Sequence, residues 1–137
     1  MNIHIIADHL NSLADNSDTG MNFDCQPISG EVDVLQVCIL DREELPVYIS
    51  VTEDQIICIC YLWGAEEVKP DTIHVMHESM LEMNIPMPLS SFSKIGEKYV
   101  VFGALSINSS FSDIEHELAV LSNNAIDVID DMSDFLL

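Results

Sequence analysis

The sequence predicts an α+β fold in which helices pack against an antiparallel sheet, in the order helix, three to four strands, helix, two strands, helix. Two observations predict this class. Segments with apolar residues at every third or fourth position indicate helices, and they are separated by segments with the two-residue period of strands. The strand-like segments follow one another through short polar links, which is typical of antiparallel pairing. We therefore expect one α+β domain over residues 1–137.

The first helix is expected over Asn2–Ala14, and Asn2 can cap its first turn. Turn-forming residues fill positions 15–20, and the two-residue period then predicts a strand over Met21–Gln26 that ends before Pro27. This early segment is interpreted either as an edge strand or as a loop. The apolar stripe of the first helix consists of Ile3, Ile6, Leu10 and Leu13.

Three further strands are expected in the first half of the chain. Val32–Leu40 is apolar at nearly every position, as expected of a strand covered on both faces. Leu45–Val51 alternates again, and Ile56–Trp63 is rich in β-branched and aromatic residues. With the first strand-like segment, they predict an antiparallel meander.

The second helix is expected from Lys69 to Asn84, because a proline at position 70 favours a helix start and prolines at 86 and 88 prevent extension. A hairpin over Leu89–Ile95 and Lys98–Leu105 should follow, with its turn at positions 96–97. The apolar stripe of the second helix consists of Ile73, Met76, Met80 and Met83.

The last helix is expected within Ser110–Leu137, where Ser112 and Glu115 fit a capping box. It carries the longest apolar stripe of the chain, which we interpret as the cover of the sheet. Acidic residues crowd its last turns, where the helix dipole disfavours them. We therefore expect the end of this helix to fray or to pack on a partner subunit. The stripe consists of Ile114, Leu118, Leu121, Ala125, Val128, Met132 and Phe135.

The charge balance limits the classes of partner. Four basic and 24 acidic side chains give a formal net charge of −20, which argues against nucleic acid and anionic membranes and favours a basic polypeptide. The segment Met1–Leu10 has no basic residue, so no signal peptide is expected, and no apolar run reaches the length of a membrane span. A cytoplasmic protein is expected, with no direct membrane insertion.

Two groups of residues suggest metal or redox chemistry. His74, His77 and Glu78 are spaced so that one helix face presents them together, but the H-E-x-x-H order is missing and a solvated face is the favoured interpretation. Cys58 and Cys60 form C-x-C on a strand, where buried reduced thiols are favoured over a redox site. No G-x-S-x-G or S-x-x-K motif is present. We therefore expect no enzyme and no cofactor.

The methionines suggest a different kind of site. Met76, Met80, Met83 and Met87 fall in one short region, and flexible thioether side chains adapt to apolar partners of different shape. Core filling is the favoured interpretation of the three on the helix, and a binding surface is the alternative.

Four short segments resemble the YjfI-like family of proteobacterial proteins, to which no chemistry is assigned. The order of elements, the size and the acidity also resemble the type III secretion chaperone-like fold of Tir-type chaperones and YbjN-like proteins. These resemblances imply a homodimer, substrate capture by the second helix and the sheet edges, and a link to envelope-stress gene neighbourhoods containing PspA-like proteins. The segments are Gly64–Glu66, Met87–Ser90, Phe102–Ser106 and Ser112–Ile114.

The leading hypothesis is a non-enzymatic, chaperone-like adaptor that dimerises and binds a polypeptide with a basic segment. The segment would lie across an apolar helix–sheet surface or add to a strand edge. The alternatives are a metal-binding protein or enzyme that uses His74, His77 and Glu78, and an acidic mimic of nucleic acid. The candidate contacts of the leading hypothesis are Ile73, Met76, Met80, Met83 and Phe92.

Overall fold

The computed structural model describes residues 1–13 and 16–137, which form three helices and six strands in the order helix, four strands, helix, two strands, helix. Their order confirms the predicted α+β class. Short 3-10 turns at Ala65–Glu67, Pro70–Thr72 and Ser133–Phe135 connect or extend them. The elements are α1 (Ile3–Leu13), β1 (Phe23–Ile28), β2 (Val34–Ile39), β3 (Val47–Val51), β4 (Gln55–Gly64), α2 (Ile73–Met83), β5 (Ser91–Ile95), β6 (Lys98–Ser106) and α3 (Phe111–Asp131).

The strands form one antiparallel sheet in the order β1-β2-β3-β4-β6-β5. The predicted meander is therefore confirmed for the first four strands. The predicted hairpin closes at Gly96, whose φ of 56° is a conformation that glycine adopts without steric cost. β6 pairs with β4, so β5 becomes the second edge of the sheet.

All three helices lie against the same face of the sheet, which we call the inner face. Its side chains and the helical stripes form one hydrophobic cluster. The opposite face, which we call the outer face, has apolar side chains at its centre that are not part of this cluster. These central outer residues are Tyr48, Ile57, Ile59, Tyr61, Val100 and Phe102.

The prediction that β2 is covered on both faces is wrong. Leu35, Val37 and Ile39 point to the inner face and are buried, whereas the alternate residues from Val34 to Cys38 are half-buried on the outer face. β2 is apolar on both sides because the outer face is itself apolar, although no helix of the described chain packs against it.

The first strand is an edge strand, and the prediction that it ends before Pro27 is wrong. β1 continues through Pro27, which lies opposite Leu35 in the ladder. An edge strand tolerates proline, because one side of such a strand has no neighbour that needs an amide hydrogen.

An asparagine side chain from a helical segment caps each edge of the sheet. On β1, the Cys25 N–H donates to Asn11 Oδ1 at 2.9 Å and the Cys25 carbonyl accepts from Asn11 Nδ2 at 3.4 Å. On β5, the Phe92 N–H donates to Asn84 Oδ1 at 2.7 Å. These edge caps occupy main-chain groups that another strand would need for pairing.

The start of α3 differs from the predicted capping box. Ser110 is the N-cap: its Oγ accepts from the Asp113 N–H at 3.1 Å, and the Ser110 N–H donates to Asp113 Oδ2 at 3.3 Å. Ser112 is exposed in the first turn, and Glu115 is buried, with its Oε2 at 3.1 Å from His9 Nε2. Glu115 therefore joins α3 to α1, and its Oε1 also accepts from the Asp18 N–H at 3.4 Å, so it does not form the predicted capping box.

The end of the chain is hydrogen-bonded to the rest of the fold, whereas the sequence predicts that it frays or packs on a partner subunit; the partner contact stays a prediction. α3 stops at Asp131, and Leu136 then forms an antiparallel bridge with Val68. The Lys69 N–H donates to the Phe135 carbonyl at 2.8 Å, and Lys69 Nζ donates to the carbonyl of residue 134 at 2.9 Å. The unfavourable acidic turns shorten the helix, but these bonds secure the segment that follows.

The two serines at the start of α3 provide a stability test. We expect Ser110→Ala to lower the free energy of unfolding by about 1 kcal/mol, because it removes an N-cap acceptor. Ser112→Ala is the matched control and should cost less than about 0.5 kcal/mol, as for other exposed sites. Urea unfolding followed by circular dichroism measures both. An equal loss in the two variants would contradict the observed cap.

Candidate functional site

An apolar groove lies between α2 and the β5–β6 edge of the sheet, and we call it the α2 groove. Its volume is about 290 Å³. Such a hollow is close to the lower limit for small-ligand pockets and can take one or two side chains. The groove is lined by His77, Met80, Leu81, Asn84, Phe92, Ser93, Lys94 and Tyr99.

The local sequence positions both walls of the groove. Spacings of three and four place His77, Met80, Leu81 and Asn84 on one side of α2, and Asn84 is also its C-cap. The same asparagine accepts a hydrogen bond from the Phe92 N–H of β5. One residue thus ends the helix and joins it to the strand that forms the opposite wall.

Tyr99 organises the floor of the groove. Its hydroxyl lies 2.8 Å from His77 Nε2, and its ring lies between those of His77 and Trp63, with centroid distances of 5.7 and 5.9 Å. Lys94 Nζ lies 5.5 Å from the Tyr99 centroid, within cation–π range. The one cation in the lining is therefore already engaged by an aromatic ring.

The five contact residues predicted from the sequence occupy different environments. Met76 is fully buried in the core, and Ile73 is half-buried against it. Met80 and Phe92 are also mostly buried, but both contribute to the wall of the α2 groove. Met83 does not line the groove.

Met83 lines a second hollow, which we call the acidic hollow. It lies between α2 and the end of the chain and has a volume of about 370 Å³. Its lining combines apolar and acidic side chains, so it can accept an aliphatic stem that carries a positive charge. The lining consists of Ser79, Glu82, Met83, Pro86, Asp131, Met132, Asp134 and Phe135.

The candidate metal ligands of α2 have separate surroundings. His74 and Glu78 are exposed, whereas His77 is half-buried and bonded to Tyr99. Within residues 1–13 and 16–137, no three histidine, cysteine or acidic side chains are grouped closely enough to hold a metal ion. The metal hypothesis thus has no assembled ligand set among the described residues.

Cys58 and Cys60 are fully buried on the inner face of β4. Burial raises the pKa of both thiols, that of Cys60 to about 12, and the nearby Glu117 carboxylate adds to the effect at Cys58. Both therefore remain protonated at neutral pH, and thiols in that form are poor nucleophiles and metal ligands.

Glu117 is a buried carboxyl group that sequence reasoning did not single out. It projects from α3 towards the sheet at Gly103, where a Cβ atom would overlap its carboxylate. No described side chain or main-chain group donates to its Oε1. Burial therefore raises the pKa of Glu117 above its ordinary value of 4.5, although the nearby His116 opposes the shift.

Tyr99, Leu81 and Asn84 line the groove but were not among the sequence candidates. The helical period would place Leu81 and Asn84 beside Met80 and His77. The helical period could therefore have identified both residues. Apolar periodicity, however, selects the residues on the buried side of a helix, and these two are not on that side. Tyr99 carried no local signal, because strand pairing brings it to the groove.

Comparison with known proteins matches residues 3–136 to the family described as "Uncharacterized protein conserved in bacteria (DUF2170)". Two relatives are both called uncharacterized protein YjfI, one from Escherichia coli strain K12 and one from Escherichia coli O157:H7. Each is 30% identical over 106 residues, which cover 74% of this chain and 77% of the relative. The predicted YjfI-like resemblance is confirmed.

Among solved structures, YbjN from E. coli, described as a candidate transcription regulator, is similar in fold. The TM-score is 0.65 at 13% sequence identity, with 98% of this chain and 92% of that chain covered. This likeness confirms the predicted YbjN-like fold. Separately, no helix among the described residues has both the length and the apolar character needed to cross a bilayer.

The environment of Glu117 predicts a pH-dependent effect on stability. The pKa of Glu117 is raised in the folded protein, so the unfolded chain loses this proton at a lower pH than the native state does. The contribution of Glu117 to folding stability is therefore lost as the pH rises above about 4.5. Glu117→Gln removes the charge and should stabilise the protein at about pH 8 by on the order of 1 kcal/mol. The gain should shrink towards pH 4.5, because the raised pKa leaves Glu117 already protonated in the folded protein at that pH.

Urea unfolding at both pH values measures this difference. Glu53→Gln, at an exposed turn position, is the control for the general effect of removing one negative charge. A gain for Glu117→Gln that is equal at both pH values, or equal to that of the control, would show that the buried carboxyl does not titrate as inferred.

Proposed function

Because the chain belongs to the bacterial family DUF2170, whose description assigns no activity, we propose its function from its own surface. The protein is a non-enzymatic, chaperone-like module of the cytoplasm that binds a polypeptide segment along α2. The α2 groove is the observation that carries this proposal.

The groove has the composition of an adaptable binding surface. Met80 on α2 and Phe92 on β5 give both walls apolar surface, and Leu81 stands at the rim with 68% of its surface exposed. A large apolar side chain from a partner can fill the groove and cover Leu81 at the same time. The flexible thioether of Met80 lets the wall adjust to side chains of different shape.

Of the two binding modes expected from the sequence, the groove has more support than strand addition. A segment that added to β5 would have to displace Asn84 from the Phe92 N–H, with which it forms a 2.7 Å hydrogen bond. A segment that lies across the groove leaves this bond intact. We therefore propose a side-chain anchor in the groove as the main contact.

Charge favours a segment with basic residues. The net charge of −20 attracts such segments over long distances and raises their association rate. On the other side of α2, Glu82, Asp131 and Asp134 of the acidic hollow can receive a lysine or arginine that flanks the anchor. Electrostatic attraction of this kind weakens as salt is added.

A homodimeric state and a role in envelope stress are part of the proposal. They rest on the resemblance to Tir-type chaperones and to the YjfI-like family, respectively. Two grooves in a dimer would let one partner chain be held at two points, which increases the apparent affinity without new contacts.

Substitution at the groove rim tests the proposal. The wild-type protein, immobilised and exposed to bacterial cytoplasmic extract at low salt, should retain a polypeptide that salt releases. Leu81→Asp should weaken retention about tenfold, the effect of losing one apolar anchor contact of about 1.4 kcal/mol. Quantitative mass spectrometry of the retained proteins measures the change.

Val75→Asp is the matched control, because Val75 is 60% exposed on α2 but does not line the groove. It should retain the same polypeptide as the wild-type protein. Retention of no polypeptide by the wild-type protein, or equal retention by Leu81→Asp, would overturn the proposed function.

A further inference from the structure

The outer face of the sheet has an apolar centre and polar, mostly uncharged side chains around it, and no helix of the described chain covers it. Strand register places Tyr48, Ile59 and Phe102 side by side across β3, β4 and β6. Tyr61 is 41% exposed next to this row, and its ring meets the edge of the Tyr48 ring at a centroid distance of 5.7 Å. These side chains contact one another, but they stand apart from the core.

This face is almost free of charge on a highly charged molecule. Among the outward-facing positions of the six strands, only Asp24 on β1 and Lys98 on β6 are charged. The whole chain has 24 acidic and four basic side chains. Most of the negative charge must therefore lie on the helices, the turns and the rims.

We propose that the outer face is the contact between two copies of this chain, which stack sheet against sheet about a two-fold axis. Two copies that each carry a net charge of −20 repel each other wherever acidic surfaces meet, and the outer face is the surface on which this repulsion is weakest. The outer face offers a basic partner only the carboxylate of Asp24. Such a partner is therefore attracted more strongly to the acidic surfaces elsewhere on the molecule.

The dimensions of the face suit such a contact. Six strands spaced about 4.8 Å apart extend about 24 Å across, and a six-residue strand such as β2 extends about 20 Å along its length. Each copy would contribute about 480 Å², and the total of about 1,000 Å² is the lower limit of a specific interface. Twisted sheets pack face to face about 10 Å apart, and a two-fold axis makes one surface serve both copies.

The stacked dimer keeps the α2 groove accessible. The groove lies at the inner face, which is the opposite side of the sheet from the proposed contact. Dimerisation and segment binding therefore use separate surfaces, and each can be tested without the other.

A native thiol reports on the contact without any substitution. Cys38 is half-buried on the outer face and is more accessible than Cys25, Cys58 and Cys60, which are buried. In dilute protein one thiol per chain should react quickly with a maleimide. At submillimolar concentration the rate should fall at least tenfold, while sedimentation shows a particle of twice the 15.3 kDa chain mass.

Charge substitutions identify the surface. Ile59→Lys places two like charges near the two-fold axis and should weaken dimerisation at least about 100-fold. Tyr61→Lys, at a more exposed position, should have the same direction of effect with less risk to folding. Ile85→Lys is the matched control, since Ile85 is 90% exposed and lies outside the sheet.

The outcomes are distinct. Loss of the dimer in Ile59→Lys and Tyr61→Lys, with a dimer in Ile85→Lys and Leu81→Asp, supports the proposal. A wild-type monomer at submillimolar concentration overturns it, as does a dimer that persists in both outer-face variants. Loss of a retained cellular protein in the outer-face variants, with no change in mass, would also overturn it, because the face would then serve a different protein.

Discussion

One constraint governs the described part of the chain: its three helices pack on one face of a six-stranded sheet, and none of them packs on the other. α1 lies over β1, β2 and β3, and α3 lies over β4 and β6. α2 is shorter than α3 and leaves part of β5 and β6 open, which forms the α2 groove. The groove and the open sheet face thus have the same origin, since the chain has more sheet than its helices can cover.

This imbalance also explains where sequence reasoning succeeded. Helical stripes that bury one side predicted α1, α2 and α3, because each helix has a single buried face. The same logic gave a wrong result for β2. Apolar residues on both sides of a strand predict two covers from the same chain, whereas Val34 and Cys38 belong to a face that the described helices leave open. Their apolar character is itself a sign of what that face contacts.

The candidate site could be predicted only in part. The methionine period identified the side of α2 that faces the sheet, but it could not show that Met76 is deep in the core while Met80 reaches the groove wall. Depth depends on how neighbouring elements pack. Tyr99 and Glu117 depended on strand pairing and on the space at Gly103, and neither leaves a local pattern in the sequence.

The edge caps have a consequence for proteostasis. A sheet with an apolar face risks growing into cross-β fibrils, because each free edge can template the next strand. Asn11 and Asn84 occupy edge main-chain groups, and Pro27 on β1 has no amide hydrogen to offer. Growth along the sheet is thereby hindered at both ends. The folded protein is therefore less prone to cross-β growth than a sheet with two free edges, even though one of its faces has an apolar centre.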